Sequence, residues 1–382
     1  MDRQLRIVFA APAYWPATAF GGPVPVMRAL ARELMGLGHR VEVVTTTLTG
    51  VDQRPVRSSH TAEVDGATVR YLGTPLRFRW FGLTPTLTRE LGALQRPDVV
   101  HVFGFRDYVS TITARWCRQH GVPYVFEPLG MFRPKLRKVR LKRALDETVY
   151  RAVPRRAALA IAASEIERHE LETVVPSARI VTRLNGFPAP YDPPERPGPL
   201  REQLGLDAQA PLILSVGRVA RGKGLEQLVR AVGRLEGVQL AIAGPDDGHG
   251  LTAELLRLRD RVGAGERVHV LGVVESPFDL YGDADVLALP SAHENFGMVA
   301  AEAAAAGTAS IVTDRCGVAD SLRDRGALVI PYDEQALQAA LARLLEDERL
   351  RSELGRGGRE VAAELSWRSV ARLQAQIYGR VV

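Results

Sequence analysis

Short apolar runs alternate with amphipathic stretches along most of the chain. The first run, residues 5–11, precedes a loop and then residues 24–35, in which apolar positions recur at helical spacing. Because buried strands that alternate with helices favour parallel sheets, the pattern predicts an α/β protein with two successive Rossmann-like β/α/β arrays. The other apolar runs occupy residues 41–45, 98–102, 159–163 and 179–182, and then 211–216, 240–244, 268–272, 284–290 and 308–313.

A proline-rich stretch separates the two arrays. Residues 188–199 contain six prolines in twelve positions, which is typical of a stiff connection and not of a helix or strand. The chain has 382 residues, more than one hydrophobic core usually serves. We therefore predict an N-terminal domain at 1–187 and a C-terminal domain at 188–365. Residues 366–382 follow as an amphipathic helix with one apolar stripe, formed by Val370, Leu373 and Ile377.

Two carboxylates, Glu294 and Glu302, flank the start of an alanine-rich stretch near three-quarters of the chain. An apolar run precedes them and Gly297 lies between them, so the segment is predicted as strand, loop and helix. In an open α/β sheet such a turn lies where ligands bind, and the helix offers unpaired N–H groups to an anion. Two carboxylates suit a polyhydroxyl ligand, although glutamates on a solvated surface helix would show the same spacing.

A glycine-rich loop with two cations, Arg218 and Lys223, follows the first strand of the second array. Arg can bind two phosphate oxygens at once and Lys acts as a point charge, so the loop is a candidate diphosphate site. Its spacing resembles a P-loop but has Gly224 where that motif requires Ser or Thr. In the first array, Gly21 and Gly22 lie between strand and helix without the Gly-x-Gly-x-x-Gly pattern of dinucleotide sites.

The combination of Glu294, the Phe-Gly pair at 296–297 and Glu302 resembles the Glu-x7-Glu signature of the family-4 retaining glycosyltransferases. The Gly-Arg and Lys-Gly pairs at 217–218 and 223–224 are similar to that family's diphosphate clamp. The resemblance implies the GT-B fold, in which two Rossmann-like domains face each other across a cleft and the C-terminal helix crosses back to the first domain. It further implies that the first domain binds the acceptor and the second binds the nucleotide sugar.

The resemblance also implies roles for individual residues. Glu294 would contact the donor sugar and Glu302 the nucleotide ribose. His101 ends a strand, where it could bond a substrate hydroxyl or carry a proton. The predicted catalytic residues are Glu294, Arg218, Lys223 and His101. The predicted donor-binding residues are Gly21, Gly22, Arg218, Lys223, Glu294, Asn295, Phe296, Gly297, Met298 and Glu302.

Two positions depart from the family's pattern. Related enzymes often have His-x-His at the strand that ends near His101 and a further His in the next strand's loop, but this chain has Phe103 and Leu129 there. We expect Glu127 to face the cleft in partial compensation. Glu127 and Arg133 are therefore the candidates for contact with the acceptor or the sugar.

The predicted activity is transfer of a sugar from a UDP- or GDP-sugar to an acceptor hydroxyl with retained configuration, in the biosynthesis of polysaccharides, glycolipids or other glycoconjugates. No cofactor and no catalytic metal are expected, because the motif Asp283-Ala-Asp285 leads directly into a strand and is interpreted as structural. Two other classes stay open. One is a sugar-nucleotide epimerase or hydrolase of the same fold, and the other is a non-catalytic protein that binds through a basic surface.

Charge is unevenly distributed along the chain. Residues 1–190 contain 28 Lys and Arg against 16 Asp and Glu, whereas the remainder contains 22 against 28. The basic half suits an acidic partner, and the run 133–143 holds seven basic residues. We expect a hydroxyl acceptor that is lipid-linked or phosphorylated. We also expect a salt-sensitive contact of the basic run with anionic membrane, unless the run is only a solvated face.

Location and remaining partners follow from what the sequence does not contain. It has no nucleic-acid recognition motif, so nucleic acid is not an expected partner. It has no apolar run of about 18 residues and no signal-peptide pattern. Cys117 and Cys316, its two cysteines, are in no metal-ligand spacing. The expectation is a cytoplasmic enzyme, with peripheral contact at the inner face of the membrane as a variant.

Overall fold

The computed structural model describes residues 3–50, 53–78, 81–133, 146–193, 197–274 and 277–382. Contacts divide the chain into two compact units. The first unit consists of residues 1–186 together with 367–382, and the second of residues 187–366. The chain thus leaves the first unit just before the proline-rich stretch and returns to it for the last helix.

A mostly parallel eight-stranded sheet forms the centre of the first unit. Its strand order is β10-β9-β8-β7-β1-β2-β4-β3, and β3 is antiparallel to its neighbour β4, while β5 and β6 form a separate antiparallel hairpin. Predicted apolar runs supply five of its strands but not β4 or β8, and the central strands are buried on both faces as parallel strands usually are. The strand bounds are β1 (Arg6–Ala10), β2 (Arg40–Thr46), β3 (His60–Val64), β4 (Ala67–Leu72), β5 (Leu76–Phe78), β6 (Phe81–Leu83), β7 (Val99–Phe103), β8 (Tyr124–Glu127), β9 (Leu159–Ala162) and β10 (Ile180–Thr182).

Helices of the first unit follow the strands. Their bounds are α1 (Pro23–Gly36), α2 (Leu87–Ala93), α3 (Tyr108–Gln119), α4 (Ala152–Arg156), α5 (Glu165–Glu172) and the C-terminal helix (Trp367–Gly379). Pro23 begins α1, where its missing N–H is not needed, and the Asp107 side chain caps α3 by accepting from the Ser110 N–H at 2.8 Å. Short 3-10 turns at Thr18–Phe20 and Ser177–Arg179 and a π-helical turn at Asp146–Tyr150 complete the described elements.

The C-terminal helix packs along α1. Val370 and Ile377 are buried, as the apolar stripe predicts. Leu373 is instead 37% exposed, because the buried face runs through Ala371 and Gln374. The predicted stripe was therefore wrong at this one position.

The second unit is built on a fully parallel six-stranded sheet of order β13-β12-β11-β14-β15-β16. Its strands are β11 (Leu212–Val216), β12 (Gln239–Ala243), β13 (Val268–Gly272), β14 (Val286–Leu289), β15 (Ser310–Thr313) and β16 (Ala327–Ile330). Its helices are α6 (Pro199–Leu204), α7 (Leu225–Gly233), α8 (Leu251–Arg261), α9 (Phe278–Asp283), α10 (Met298–Ala306), α11 (Ala319–Leu322), α12 (Glu334–Glu346) and α13 (Glu348–Glu364). The predicted α/β class with two Rossmann-like units is confirmed. None of the helices within the described ranges is long and apolar enough to cross a membrane.

The helices α10 and α13 approach each other through residues without bulky side chains. Six of the nine residues of α10 are buried alanines, and α13 presents Gly355 and Gly358 to it. A Cβ atom at Gly355 would lie 2.2 Å from the carbonyl oxygen of Gly307, and one at Gly358 would lie 3.2 Å from Cα of Ala304. The position of α10 is therefore set by backbone contact with α13.

We expect Gly355→Ala to destabilise the protein by about 2 kcal/mol, because the added methyl group must push α10 and α13 apart. The matched control is Gly92→Ala in α2, where a Cβ would meet nothing within 4 Å. That change should be neutral or stabilising by about 0.5–1 kcal/mol. Urea unfolding of both variants measures the difference in free energy. Equal stability of the two variants would contradict the close contact.

Candidate active site

The carboxyl ends of β11 and β14 meet at the point where strand order reverses in the second sheet, since β11 lies between β12 and β14. Open α/β sheets bind ligands at such switch points. The loop after β11 contacts the loop after β14 directly, with the Ala292 N–H donating to the Gly222 carbonyl at 2.8 Å. Gly224 has φ +74°, and a Cβ there would lie 2.0 Å from the Pro290 carbonyl oxygen. Only glycine lets these two loops come so close.

Lys223 and Glu294 lie on these two loops and form an ion pair between Nζ and Oε2. Their side chains are 26% and 21% exposed, so the pair is open to solvent on one side. Arg218 is exposed, and no hydrogen bond or ion pair to a described residue holds its guanidinium. Among the described residues, the switch point therefore carries a cation without an ionic partner, Arg218, and a cation that a carboxylate balances, Lys223.

Backbone hydrogen bonds fix the loop that carries Glu294. The Glu294 N–H donates to the Arg315 carbonyl at 3.0 Å, and the Gly317 N–H donates to the Glu294 carbonyl at 3.1 Å. The Val318 N–H donates to the Phe296 carbonyl at 2.7 Å. The loop after β15 therefore holds the main chain of Glu294 in place, while its carboxylate pairs with Lys223.

Gly297 caps α10 with φ +105°, and a Cβ there would lie 3.2 Å from both Leu289 and Val318. The Phe296 side chain is buried and meets the Phe187 ring edge-on, so only its backbone is suited to ligand contact. Asn295 and Met298 are partly exposed on either side. The first N–H groups of an α-helix lack partners within the helix, so α10 presents them at the switch point.

Glu302 lies one and a half turns into α10 and accepts a hydrogen bond from the Tyr281 hydroxyl through Oε2. Although part of its surface is open, burial by the surrounding protein raises the pKa of Glu302 to about 7, and the Tyr281 hydrogen bond acts in the opposite direction. The sequence predicted Glu302 but gave no sign of Tyr281. Tyr281 lies 21 residues earlier on another helix, so no local spacing in the sequence indicates this contact.

The Asp283-Ala-Asp285 motif forms part of an interior network around Arg201, whose side chain is fully buried. Asp283 accepts from the backbone N–H groups of Gly198 and Arg201 at 2.9 and 2.8 Å. Asp285 accepts from the Leu212 N–H at 2.8 Å and lies 3.0 Å from the Arg201 guanidinium. Both carboxylates are thus engaged by protein groups, in keeping with the structural interpretation of the motif.

In the first unit, Gly21 and Gly22 lie between β1 and α1, and β1 and β7 mark the reversal of strand order in that sheet. Gly21 has φ +92°, and a Cβ at either glycine would meet nothing within 4 Å. The positive φ, and not crowding, is what favours glycine at the first of these positions.

His101 and Glu127 are both fully buried in a polar network of the first unit. Glu127 pairs with the buried guanidinium of Arg183, and its Oε2 lies 3.1 Å from Nε2 of His101. Nδ1 of His101 lies 2.7 Å from the Tyr378 hydroxyl on the C-terminal helix. Burial lowers the pKa of His101. Burial alone would raise the pKa of Glu127, but Arg183 and His101 hold it below its usual range.

This burial corrects the expectation that Glu127 faces a ligand, and it leaves His101 without an open face for a substrate. Phe103 stacks on the His101 ring at 3.8 Å between centroids, and Leu129 is 8% exposed, so the two positions that lack the family's histidines are apolar and enclosed. Sequence reasoning missed Arg183 and Tyr378, because no motif marks either residue and both lie far from Glu127 along the chain.

Arg133 is exposed at the end of a described segment. The rest of the basic run, residues 134–143, lies outside the described residues. Nearby, the Arg106 guanidinium binds the carboxylate of Asp146 and the backbone carbonyls of Met131 and Phe132. One side chain therefore joins the two described ends of this part of the chain.

The sequence comparisons identify the family. Residues 21–186 match the model of the glycosyl transferase 4-like domain, and residues 199–361 match that of the glycosyl transferases group 1. Together the two models, both of glycosyltransferases, match most of the chain, which therefore belongs to the glycosyltransferases. The glycosyltransferase family expected from the sequence is confirmed.

The chain is also similar to individual curated proteins and, in fold, to solved structures. The D-inositol 3-phosphate glycosyltransferase of Xylanimonas cellulosilytica is 37% identical over 199 residues, which cover 50% of this chain and 48% of that protein. The chain thus spans about half the length of the curated relatives it matches. Sucrose-phosphate synthase of Thermosynechococcus elongatus superposes with a TM-score of 0.77 at 24% identity, covering 99% of both chains. HepE of Anabaena, solved with UDP and glucose, gives 0.78 at 17% identity, covering 99% of this chain and 100% of that one.

We expect Glu127→Ala to destabilise the protein by about 3–5 kcal/mol, because the change leaves Arg183 buried without its partner. Glu165→Ala, at an exposed position in the first turn of α5, should cost no more than about 1 kcal/mol. Urea unfolding near pH 7 measures both. Because Glu127 has a lowered pKa when folded, its contribution should be present above the unfolded pKa, near 4.3, and disappear as the pH falls through the folded pKa. Wild-type stability of Glu127→Ala would contradict the interior role.

Proposed function

We propose that the chain transfers a sugar from a nucleotide-diphosphate sugar to an acceptor hydroxyl, with the donor bound at the switch point of the second unit. The observation that carries this proposal is the convergence of Lys223, Glu294 and the amino end of α10 on two loops held in backbone contact. The site combines cations for a diphosphate with carboxylates for sugar hydroxyls. The HepE structure with UDP and glucose supports a nucleotide and sugar as ligands of this fold.

Departure of the nucleotide builds negative charge on its diphosphate. Arg218, Lys223 and the first N–H groups of α10 are assigned to stabilise that charge. By analogy with oxyanion-hole deletions, each fixed donor contributes about 2.7–4 kcal/mol to lowering the barrier. Glu294 is assigned to the hydroxyls of the donor sugar and Glu302 to the nucleotide ribose. Retention of configuration is proposed to follow same-face attack, in which the leaving phosphate accepts the acceptor's proton.

The ion pair between Lys223 and Glu294 has a consequence for donor binding. The Glu294 carboxylate already neutralises the charge of Lys223 before the donor binds. Lys223 therefore attracts the diphosphate less strongly than an unpaired lysine would. Binding of the sugar to Glu294 then loosens that pairing and frees Lys223 for the charge that develops on the phosphate. The arrangement favours the transition state over the bound nucleotide.

The acceptor is assigned to the first unit, where Gly21 and Gly22 leave open space at the start of α1. A phosphorylated acceptor suits the basic first half of the chain. The curated relatives are named D-inositol 3-phosphate glycosyltransferases, and inositol phosphate is a phosphorylated polyol. We propose a phosphorylated or lipid-linked polyol for this chain, and a glycolipid or other glycoconjugate as the product.

The donor site is tested by a thermal-shift screen of UDP, GDP, ADP, dTDP and their common sugars, because a ligand of the native state raises the melting temperature. We expect one nucleotide family to stabilise wild-type protein, and Lys223→Ala and Glu302→Ala to lose the shift. Arg221→Ala is the matched control, since Arg221 lies in the same loop but pairs with Glu254, and it should keep the shift. A folded protein that responds to none of these compounds would overturn the proposal.

We expect Glu294→Gln to separate nucleotide binding from transfer. Removing the partner of Lys223 should tighten binding of the nucleoside diphosphate by about two- to fivefold, as expected for a partly exposed ion pair. Sugar transfer or donor turnover should fall by about 100-fold, because the carboxylate for the sugar is lost. Glu254→Gln, which removes the partner of Arg221, should change neither quantity. Weaker nucleotide binding by Glu294→Gln would contradict the assigned roles.

Metal independence is part of the proposal, supported by the engagement of Asp283 and Asp285 with Arg201. We expect donor binding and turnover to persist after dialysis against EDTA. Activity that vanished with the chelator and returned with Mn²⁺ would show that a metal takes part. Rapid cleavage of the donor without any acceptor would favour the hydrolase alternative.

A further inference from the structure

The Tyr281 hydroxyl has a single partner among the described residues, the carboxylate of Glu302. Tyr281 is fully buried, whereas Glu302 keeps part of its surface open. Burial, with the neighbouring Glu302 adding to it, raises the pKa of Tyr281 well above its usual value. The hydroxyl therefore stays protonated at working pH and donates to Oε2 of Glu302.

Both members of this hydrogen bond lie on helices with fixed positions. Tyr281 lies on α9, which ends at Asp283, the buried carboxylate bound by backbone N–H groups of Gly198 and Arg201. The Thr308 hydroxyl also donates to the Tyr281 carbonyl at 2.7 Å. Glu302 lies on α10, whose approach to α13 leaves no room for a methyl group. The relative position of hydroxyl and carboxylate is therefore set by the packing of three helices.

We propose that Tyr281 is a positioning residue for the nucleotide: it holds Oε2 of Glu302 and leaves Oε1 directed to the ribose hydroxyls of the donor. No hydrogen bond to Oε1 comes from the part of the chain that the structure describes. This inference rests on the proposed donor site and adds a residue that neither the motif nor its spacing indicated. A carboxylate with one oxygen engaged loses less side-chain freedom when a ligand binds the other.

Tyr281 also affects the charge of Glu302. Burial raises the pKa of Glu302 to about 7, and the hydrogen bond from Tyr281 lowers it. Removing the hydroxyl should therefore raise that pKa further and leave less carboxylate ionised at neutral pH. A neutral carboxyl group forms weaker hydrogen bonds with ribose hydroxyls than a carboxylate does. The same substitution thus weakens donor binding through both geometry and charge.

Other titratable groups near Glu302 provide a control. Tyr191 approaches from the segment that begins the second unit, but its hydroxyl donates to the Phe278 carbonyl at 2.6 Å. Glu302 acts on the pKa of Tyr191, and so do Asp279 on α9 and Arg359 on α13. Arg359 itself pairs with Asp192. Tyr191 is therefore a second tyrosine at the same carboxylate that does not donate to it.

The test compares Tyr281→Phe with Tyr191→Phe in the full chain, using two independent readouts. The first is the titration of the Glu302 carboxyl carbon by NMR with carbon-labelled glutamate, assigned through Glu302→Gln. The second is the dissociation constant of UDP-glucose, or of GDP-mannose if UDP-glucose does not bind, by calorimetry between pH 5.5 and 9. The phosphates of both probes do not titrate in this range, and their bases lose a proton only toward its upper end, so the lower part of the profile reports the protein.

We expect Tyr281→Phe to raise the pKa of Glu302 and to weaken donor binding about tenfold at pH 7, with affinity partly recovered at higher pH. Tyr191→Phe should leave the Glu302 titration and donor binding within about twofold of wild type. An unchanged Glu302 titration in Tyr281→Phe would overturn the proposal, as would equal losses of affinity in the two variants. If the titration shifts but wild-type protein binds none of the nucleotides and nucleotide sugars of the thermal-shift screen, the hydrogen bond stands, while the proposed donor site and the ribose role of Tyr281 both fail.

Discussion

The close contact of two loops at the switch point is the constraint on which the second unit depends. Gly224 and Pro290 approach within a distance that excludes any side chain at Gly224. This contact brings a cation from the loop after β11 to a carboxylate from the loop after β14. The two strands are neighbours in space but more than 70 residues apart along the chain. The candidate site forms because β11 and β14 pair in the sheet and because Gly224, which has no Cβ, allows the loops that follow them to make contact.

Each unit contains a buried arginine that joins separate segments of the chain, and neither arginine belongs to the candidate site. Arg201 joins α6 to the end of α9 and the start of β14 through Asp283 and Asp285. Arg183 joins the end of β10 to Glu127 at the end of β8. Guanidinium groups suit this task because they remain charged when buried and donate in several directions at once. The arginines that stabilise the fold are buried, whereas the cations assigned to phosphate, Arg218 and Lys223, are open to solvent.

Local pattern was sufficient to predict much of the fold. The apolar runs located most central strands, and the strand, loop and helix around Gly297 appear where the sequence placed them. Burial of polar side chains could not be predicted in this way. Glu127 looks like a ligand-facing residue at a strand end, but its partners Arg183 and Tyr378 come from distant segments. The hydroxyl of Tyr281, which donates to Glu302, was missed for the same reason, since its helix contains no motif that indicates a partner.

The return of the C-terminal helix to the first unit has a consequence for how the protein folds during synthesis. His101 contacts Tyr378, which the ribosome adds 277 residues later, after the whole second unit. The first sheet and most of its helices can assemble early, but the C-terminal helix and part of the buried polar network must wait. During that interval, the surface of α1 that will receive Trp367–Gly379 is exposed to solvent. We therefore expect chaperones to bind the newly synthesised first unit until residues 367–379 have been translated.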